Sequence, residues 1–190
     1  MGDTFQTIVD LDATAAEAPR LAERVLDLLV AEGIVLAERA DRSFGHHLPG
    51  PRWDRAVDPG DARWQPTDGL TVITGRTVFH GGQGEADWAR CPRCTATIRL
   101  YTEEYDRIDA AWEPYGRAIH RWGETGEADV DCPACAAAVP LPEWTWAWDY
   151  FAFGHLGFEF WNWPEFTEEF GTLIADALDG HRTVRVWGKF

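Results

Sequence analysis

Every cysteine in the chain belongs to one of two matching tetrapeptides, Cys91-Pro92-Arg93-Cys94 and Cys132-Pro133-Ala134-Cys135. Two thiols spaced by two residues converge from a single tight turn, and a second such turn completes a tetrahedral, all-sulfur shell. Zinc suits four thiolates because it is borderline soft and has no geometric demand of its own. Iron sites of this type favour glycine directly after each turn, whereas Thr95 and Ala136 stand there; a redox dithiol is the remaining alternative. The expectation is one zinc ion on Cys91, Cys94, Cys132 and Cys135. Four sulfur ligands leave no position open for water, so that zinc is structural. The 37 residues between Cys94 and Cys132 exceed the roughly 15 to 20 of an ordinary ribbon, and an inserted helix accounts for the excess.

A second group of chemically capable residues lies in Gly45-His46-His47 and the nearby Arg52-Trp53-Asp54-Arg55. His46, His47 or Asp54 could supply a general base, or the histidines a second metal. The plainer alternative is an exposed loop with chance histidines. No phosphate-binding loop, dinucleotide fingerprint, nucleophile elbow or His-Glu-x-x-His is present, so nucleotide hydrolysis and zinc proteolysis have no visible machinery.

The elements that must position these residues are legible from periodicity. Phe5, Thr7, Val9 and Leu11 alternate as on a strand. Thr14 and Glu17 have the spacing of a capping box, and Leu21, Val25, Leu28 and Leu29 form a helical stripe closed by Gly33. Residues 34–37 read as a strand. From 39 to 69 glycine and proline punctuate a long loop, which either packs down through Trp53 and Trp64 or serves as a functional flap. Residues 70–74 are a strand that continues past Gly75. A ribbon strand covers 95–101, and 103–122 is mainly helical with a break or kink at Pro114. Trp144, Trp146 and Trp148 share a face of a strand over 143–148, and a second aromatic run covers 149–161. Asn162, Pro164 and Glu165 announce a helix carrying Phe166, Phe170, Leu173 and Ile174. Residues 183–187 close the chain as a strand.

Leaving the middle aside, the order strand–helix–strand occurs twice. This predicts an α+β protein with a ferredoxin-like split βαβ sheet. Residues 1–86 and 141–190 form the body, including the long loop 39–69, and 87–140 form an inserted zinc-ribbon subdomain.

Composition bounds the function. The net charge is −15, from 32 acidic and 17 basic residues, and the acidity is spread along the chain with no basic block. Nucleic-acid binding is therefore disfavoured. Of eleven tryptophans and ten phenylalanines, five and four fall between Trp144 and Trp163, but residues 143–169 contain no lysine or arginine. Core packing or a protein-binding face fits this run better than a base-stacking platform. Paired cysteines, with no secretory pattern at the start and no membrane-length apolar run, point to a cytoplasmic protein.

The segment Gln6 to Thr14, the two Cys-Pro-x-Cys turns and the run Gly157 to Pro164 resemble a group of uncharacterised actinobacterial proteins. The resemblance extends over the whole chain and implies an origin and a compartment, but no activity. Similar proteins have been labelled sugar-transporter ATPases; the phosphate loop which that label requires is missing here. The leading expectation is a non-enzymatic, zinc-stapled interaction protein whose acidic surface meets a protein partner, for example as an inhibitor or immunity protein. An enzyme using His46, His47 or Asp54 is the alternative, and a zinc-ribbon nucleic-acid binder is the third.

Overall fold

The computed structural model describes residues 2–190. In chain order the elements are β1 (Thr4–Asp10), α1 (Ala18–Ala31), β2 (Val35–Arg39), β3 (His47–Pro49), β4 (Leu70–His80), β5 (Trp88–Arg90), β6 (Thr97–Arg99), α2 (Asp109–Thr125), β7 (Asp129–Asp131), β8 (Ala138–Pro140), β9 (Thr145–Trp146), β10 (Phe151–Trp161), α3 (Glu168–Ala177) and β11 (Thr183–Lys189). The protein is mixed α+β. Among the described residues no helix is long and apolar enough to cross a membrane.

The main sheet has six strands in the order β11-β1-β10-β4-β3-β2, each antiparallel to its neighbours. β1 and β2 therefore run in the same direction, joined by α1. Local chemistry starts and stops that helix as the sequence predicts. Thr14 N–H donates to Glu17 Oε2 at 3.1 Å and Glu17 N–H donates back to Thr14 Oγ1 at 3.3 Å, which forms the capping box one turn before α1. At the other end Gly33 takes a left-handed φ of 71° and Ile34 N–H reaches the Leu29 carbonyl.

α1 and α3 cover one face of the sheet. Leu21, Val25 and Leu29 from α1 and Phe170 and Ile174 from α3 pack on Ile8, Leu70, Leu156, Phe158 and Phe160. Each such side chain contributes about 1.5–3 kcal/mol when fully buried. The other face carries a smaller cluster of Val9, Phe79, Ala152 and Val186. Gly157 is required there, since a Cβ on it would meet the Phe79 ring at 2.4 Å.

Beyond the main sheet, β6-β5-β9 form a three-stranded sheet and β7-β8 a hairpin. Their core joins Ala89, Leu100, Val130 and Val139 to Tyr115, Ala118 and Trp122 of α2 and to Trp144 and Trp146. Phe153 of β10 is buried in the same cluster, and Val78 of β4 packs on it. The two long central strands thus serve both cores, one at each end.

Several local expectations are corrected. The 39–69 segment is partly regular: β3 pairs with β2 and β4, and residues 53–56 form a 3-10 turn. Only Thr145–Trp146 pairs as a strand within 143–148. Trp148 and Asp149 adopt left-handed φ values of 57° and 50°, which reverses the chain into β10. Trp148 therefore leaves the face of Trp144 and Trp146 and is 84% exposed. The middle helix starts at Asp109, because Tyr105 at φ 65° belongs to a turn. It also passes through Pro114 without ending, at the cost of the hydrogen bond to the Ala110 carbonyl. α3 starts at Glu168, capped by Thr167, whose Oγ1 accepts from Phe170 N–H at 3.2 Å. Asn162 instead turns the chain at the end of β10 with a φ of 56°.

Candidate metal centre

Each Cys-Pro-x-Cys sequence is the turn of a short hairpin. The register pairs Arg90 with Thr97 across the first turn and Asp131 with Ala138 across the second. The backbone closes both in the same way. Cys91 N–H donates to the Ala96 carbonyl at 3.0 Å and Thr95 N–H to the Cys91 carbonyl at 3.0 Å. The equivalent bonds, Cys132 to Ala137 and Ala136 to Cys132, measure 2.9 and 2.8 Å. Thr95 and Ala136 take φ values of 61° and 58°. A left-handed residue follows each turn whatever its side chain, so the lack of glycine there does not discriminate zinc from iron.

The two turns face each other. The sulfurs of Cys91, Cys94, Cys132 and Cys135 all lie within 4.8 Å of one another, and those of Cys94 and Cys132 are 3.7 Å apart. A metal–sulfur bond of about 2.3 Å in a tetrahedron places sulfurs about 3.8 Å apart, so the set fits one ion with little movement. Cys91 and Cys132 are buried, Cys94 is half-buried and Cys135 is exposed. The centre therefore sits at the rim of its core.

Electrostatics agree with an ion site. Arg93 N–H points at Cys91 Sγ at 3.4 Å. Burial opposes ionisation of Cys132, but the backbone N–H groups of Ala134 and Cys135, with neighbouring thiols, bring it down to about 7. At Cys94 a backbone hydrogen bond from Ala96 favours the thiolate, yet burial and the sulfurs of Cys135, Cys132 and Cys91 push it up to about 12. Four thiolates this close need a cation to ionise together.

Tyr115 is a site residue that the sequence shows only as one apolar position of a helix. It is fully buried, its ring edge-on to Trp144 and Trp146, and its hydroxyl has no hydrogen-bond partner among the described residues. Burial, and then the negative charge of Cys132 and Cys91, raise its pKa above the ordinary tyrosine value and keep it protonated. The hydroxyl feels the charge of Cys91 and Cys132 without a hydrogen bond to either sulfur, and a metal-bound thiolate would be a better acceptor for it than a thiol. No local pattern could have signalled this, since the contact spans two hairpins and a helix.

The other candidates are not assembled into a site. His47 is buried in β3, where its Nδ1 lies 3.1 Å from the Leu36 carbonyl. His46 is half-buried beside it, and Asp54 is exposed in the 3-10 turn. No hydrogen bond links the three among the described residues. None of them lines the cleft of about 460 Å³ between Pro92 and β11 or the cleft of about 650 Å³ beside Trp64.

No match to this chain is found among protein-family models, curated proteins or solved structures.

Proposed function

We propose that this is a non-enzymatic interaction protein, stapled by one structural zinc ion on Cys91, Cys94, Cys132 and Cys135, that offers an acidic surface to a basic protein partner. The observation that carries the reading is the closed four-sulfur set in a molecule of net charge −15. Such a centre has no open coordination position, which favours a mechanical role for the metal. In this reading the larger body is a ferredoxin-like split βαβ sheet. The order β11-β1-β10, with β2 parallel to β1, supports it, and β3 and β4 are additions between β10 and β2. The β5–β8 unit is then a zinc ribbon inserted between strands, and four free thiols suit a reducing, cytoplasmic setting. Inhibition of a basic toxin or nuclease is one concrete form of this role.

The test is capture. Immobilised protein is challenged with a cell lysate, and retained proteins are identified beside those held by an unrelated protein of equal acidity. Enrichment of a specific basic protein, released by salt, is expected. Retention matching the control, or of nucleic acid alone, overturns the proposal.

A further inference from the structure

Resting on the acidic-surface reading, we infer that the cleft beside Trp64 is the docking site for an arginine side chain of the basic partner. The cleft has a volume of about 650 Å³ and lies where β1 begins and β10 ends. One wall is fixed. Asn162 accepts from Thr4 N–H through Oδ1 at 2.9 Å, and its Nδ2 donates to Asp3 at 3.0 Å and to Asp68 at 2.8 Å. Trp163 Nε1 donates to the Asp68 carbonyl at 2.9 Å, which ties this wall to the segment before β4. The opposite wall comes from the 61–67 segment, with Asp61, Gln65 and Trp64.

Trp64 is 64% exposed. Leaving a large indole in water gains nothing for folding, and exposed aromatics are enriched at recognition sites. The ring already accepts a cation: the Arg63 guanidinium carbon lies 5.5 Å from its centre. Asp3 and Asp61 line the same space, and no lysine, arginine or histidine does. An indole face with carboxylates in the same lining matches a guanidinium, which stacks through its plane and donates to carboxylates through its edge. Lysine satisfies the carboxylates but stacks less well. The same aromatic and amide groups could hold a sugar, but the two aspartates in the lining favour a cation.

The test uses a fluorescent hexa-arginine peptide, with hexa-glutamine and maltohexaose as probes of the other chemistries. Binding is measured at 20 and 150 mM salt to the full chain and to Trp64→Ala, Asp61→Asn and the remote pair Glu103→Gln/Glu104→Gln, all checked for folding by circular dichroism. We expect binding of the arginine peptide to weaken tenfold or more in the two cleft variants and less than twofold in the remote one. Equal losses in all variants overturn the cleft while leaving the broader acidic-surface reading in place. No peptide binding, in a protein that still captures a basic partner from lysate, overturns the cleft alone. Displacement of the peptide by maltohexaose, with direct sugar binding, assigns the cleft to carbohydrate and also overturns the proposal.

Discussion

Thr95 and Ala136 occupy the same place in the two cysteine turns and share the same left-handed backbone, with φ values of 61° and 58°. Neither is glycine, so each turn carries strain of about 1–2 kcal/mol. The strain persists because two backbone hydrogen bonds close each turn around its first cysteine. Ala136→Gly is expected to raise the stability of the metal-loaded protein by up to ~1 kcal/mol, after glycine's added freedom in the unfolded chain is subtracted. Thr95→Gly should gain less, because Thr95 Oγ1 donates to the Cys94 carbonyl at 2.7 Å. Thermal unfolding measures both, and a lower melting temperature for Ala136→Gly would contradict the strain.

Metal removal should act on one core and spare the other. With chelator, amide exchange is expected to speed up in β5 to β8, in α2 and in the Trp144–Trp146 segment, which share one buried cluster. Amides of α1 and α3, whose side chains pack in the other cluster, should keep their protection. Uniform loss across both would mean that the ion supports the whole fold, and no loss anywhere would mean that it supports nothing.

Tyr115→Phe should have opposite effects in the two states. Removing a buried, unpaired hydroxyl stabilises the metal-free protein by about 1–3 kcal/mol. If the hydroxyl turns to the Cys91 or Cys132 thiolate when metal is bound, the variant should bind zinc roughly tenfold more weakly. Its cobalt form should show a shifted sulfur-to-metal charge-transfer band. Unchanged affinity and an unchanged spectrum would remove Tyr115 from the centre.

A histidine–aspartate pair makes stability depend on pH at the C-terminal end of β1. His181 Nδ1 lies 2.9 Å from the carboxylate of Asp10, which is buried at the end of β1 and also accepts the N–H groups of Asp12 and Ala13. The Asp10 hydrogen bond, partly opposed by burial, raises the His181 pKa above its ordinary 6.5. The protonated form therefore favours the native state. Its contribution is complete below pH 6.5 and disappears as pH rises through the folded value. Urea unfolding at pH 6.0 and 8.5 should show His181→Gln less stable than the parent at the lower pH and nearly equal at the higher. A gap of the same size at both pH values would refute the linkage.

The sequence by itself determined what depends on near neighbours. The four cysteines that gather into one cluster were legible because a two-residue spacing puts both thiols of a turn on one side of the chain. The Thr14–Glu17 box, the Gly33 cap and the helical stripes were legible for the same reason, since their partners are within a few residues. Tertiary structure decided everything that joins distant segments. It placed β3 and β4 between β10 and β2, which no local periodicity encodes, because strand neighbours are chosen by burial of whole faces. It drew Trp144 and Trp146 into the core that holds Cys91 and Cys132 and turned Trp148 outward, through a backbone reversal that alternation alone cannot reveal. It buried His47 in a strand, where its ring meets the Leu36 carbonyl, and left Trp64 standing over a cleft walled by residues about a hundred positions away. Spacing along the chain fixes which groups can converge from one turn; only the packing of the whole chain fixes which turns, strands and side chains converge on one another.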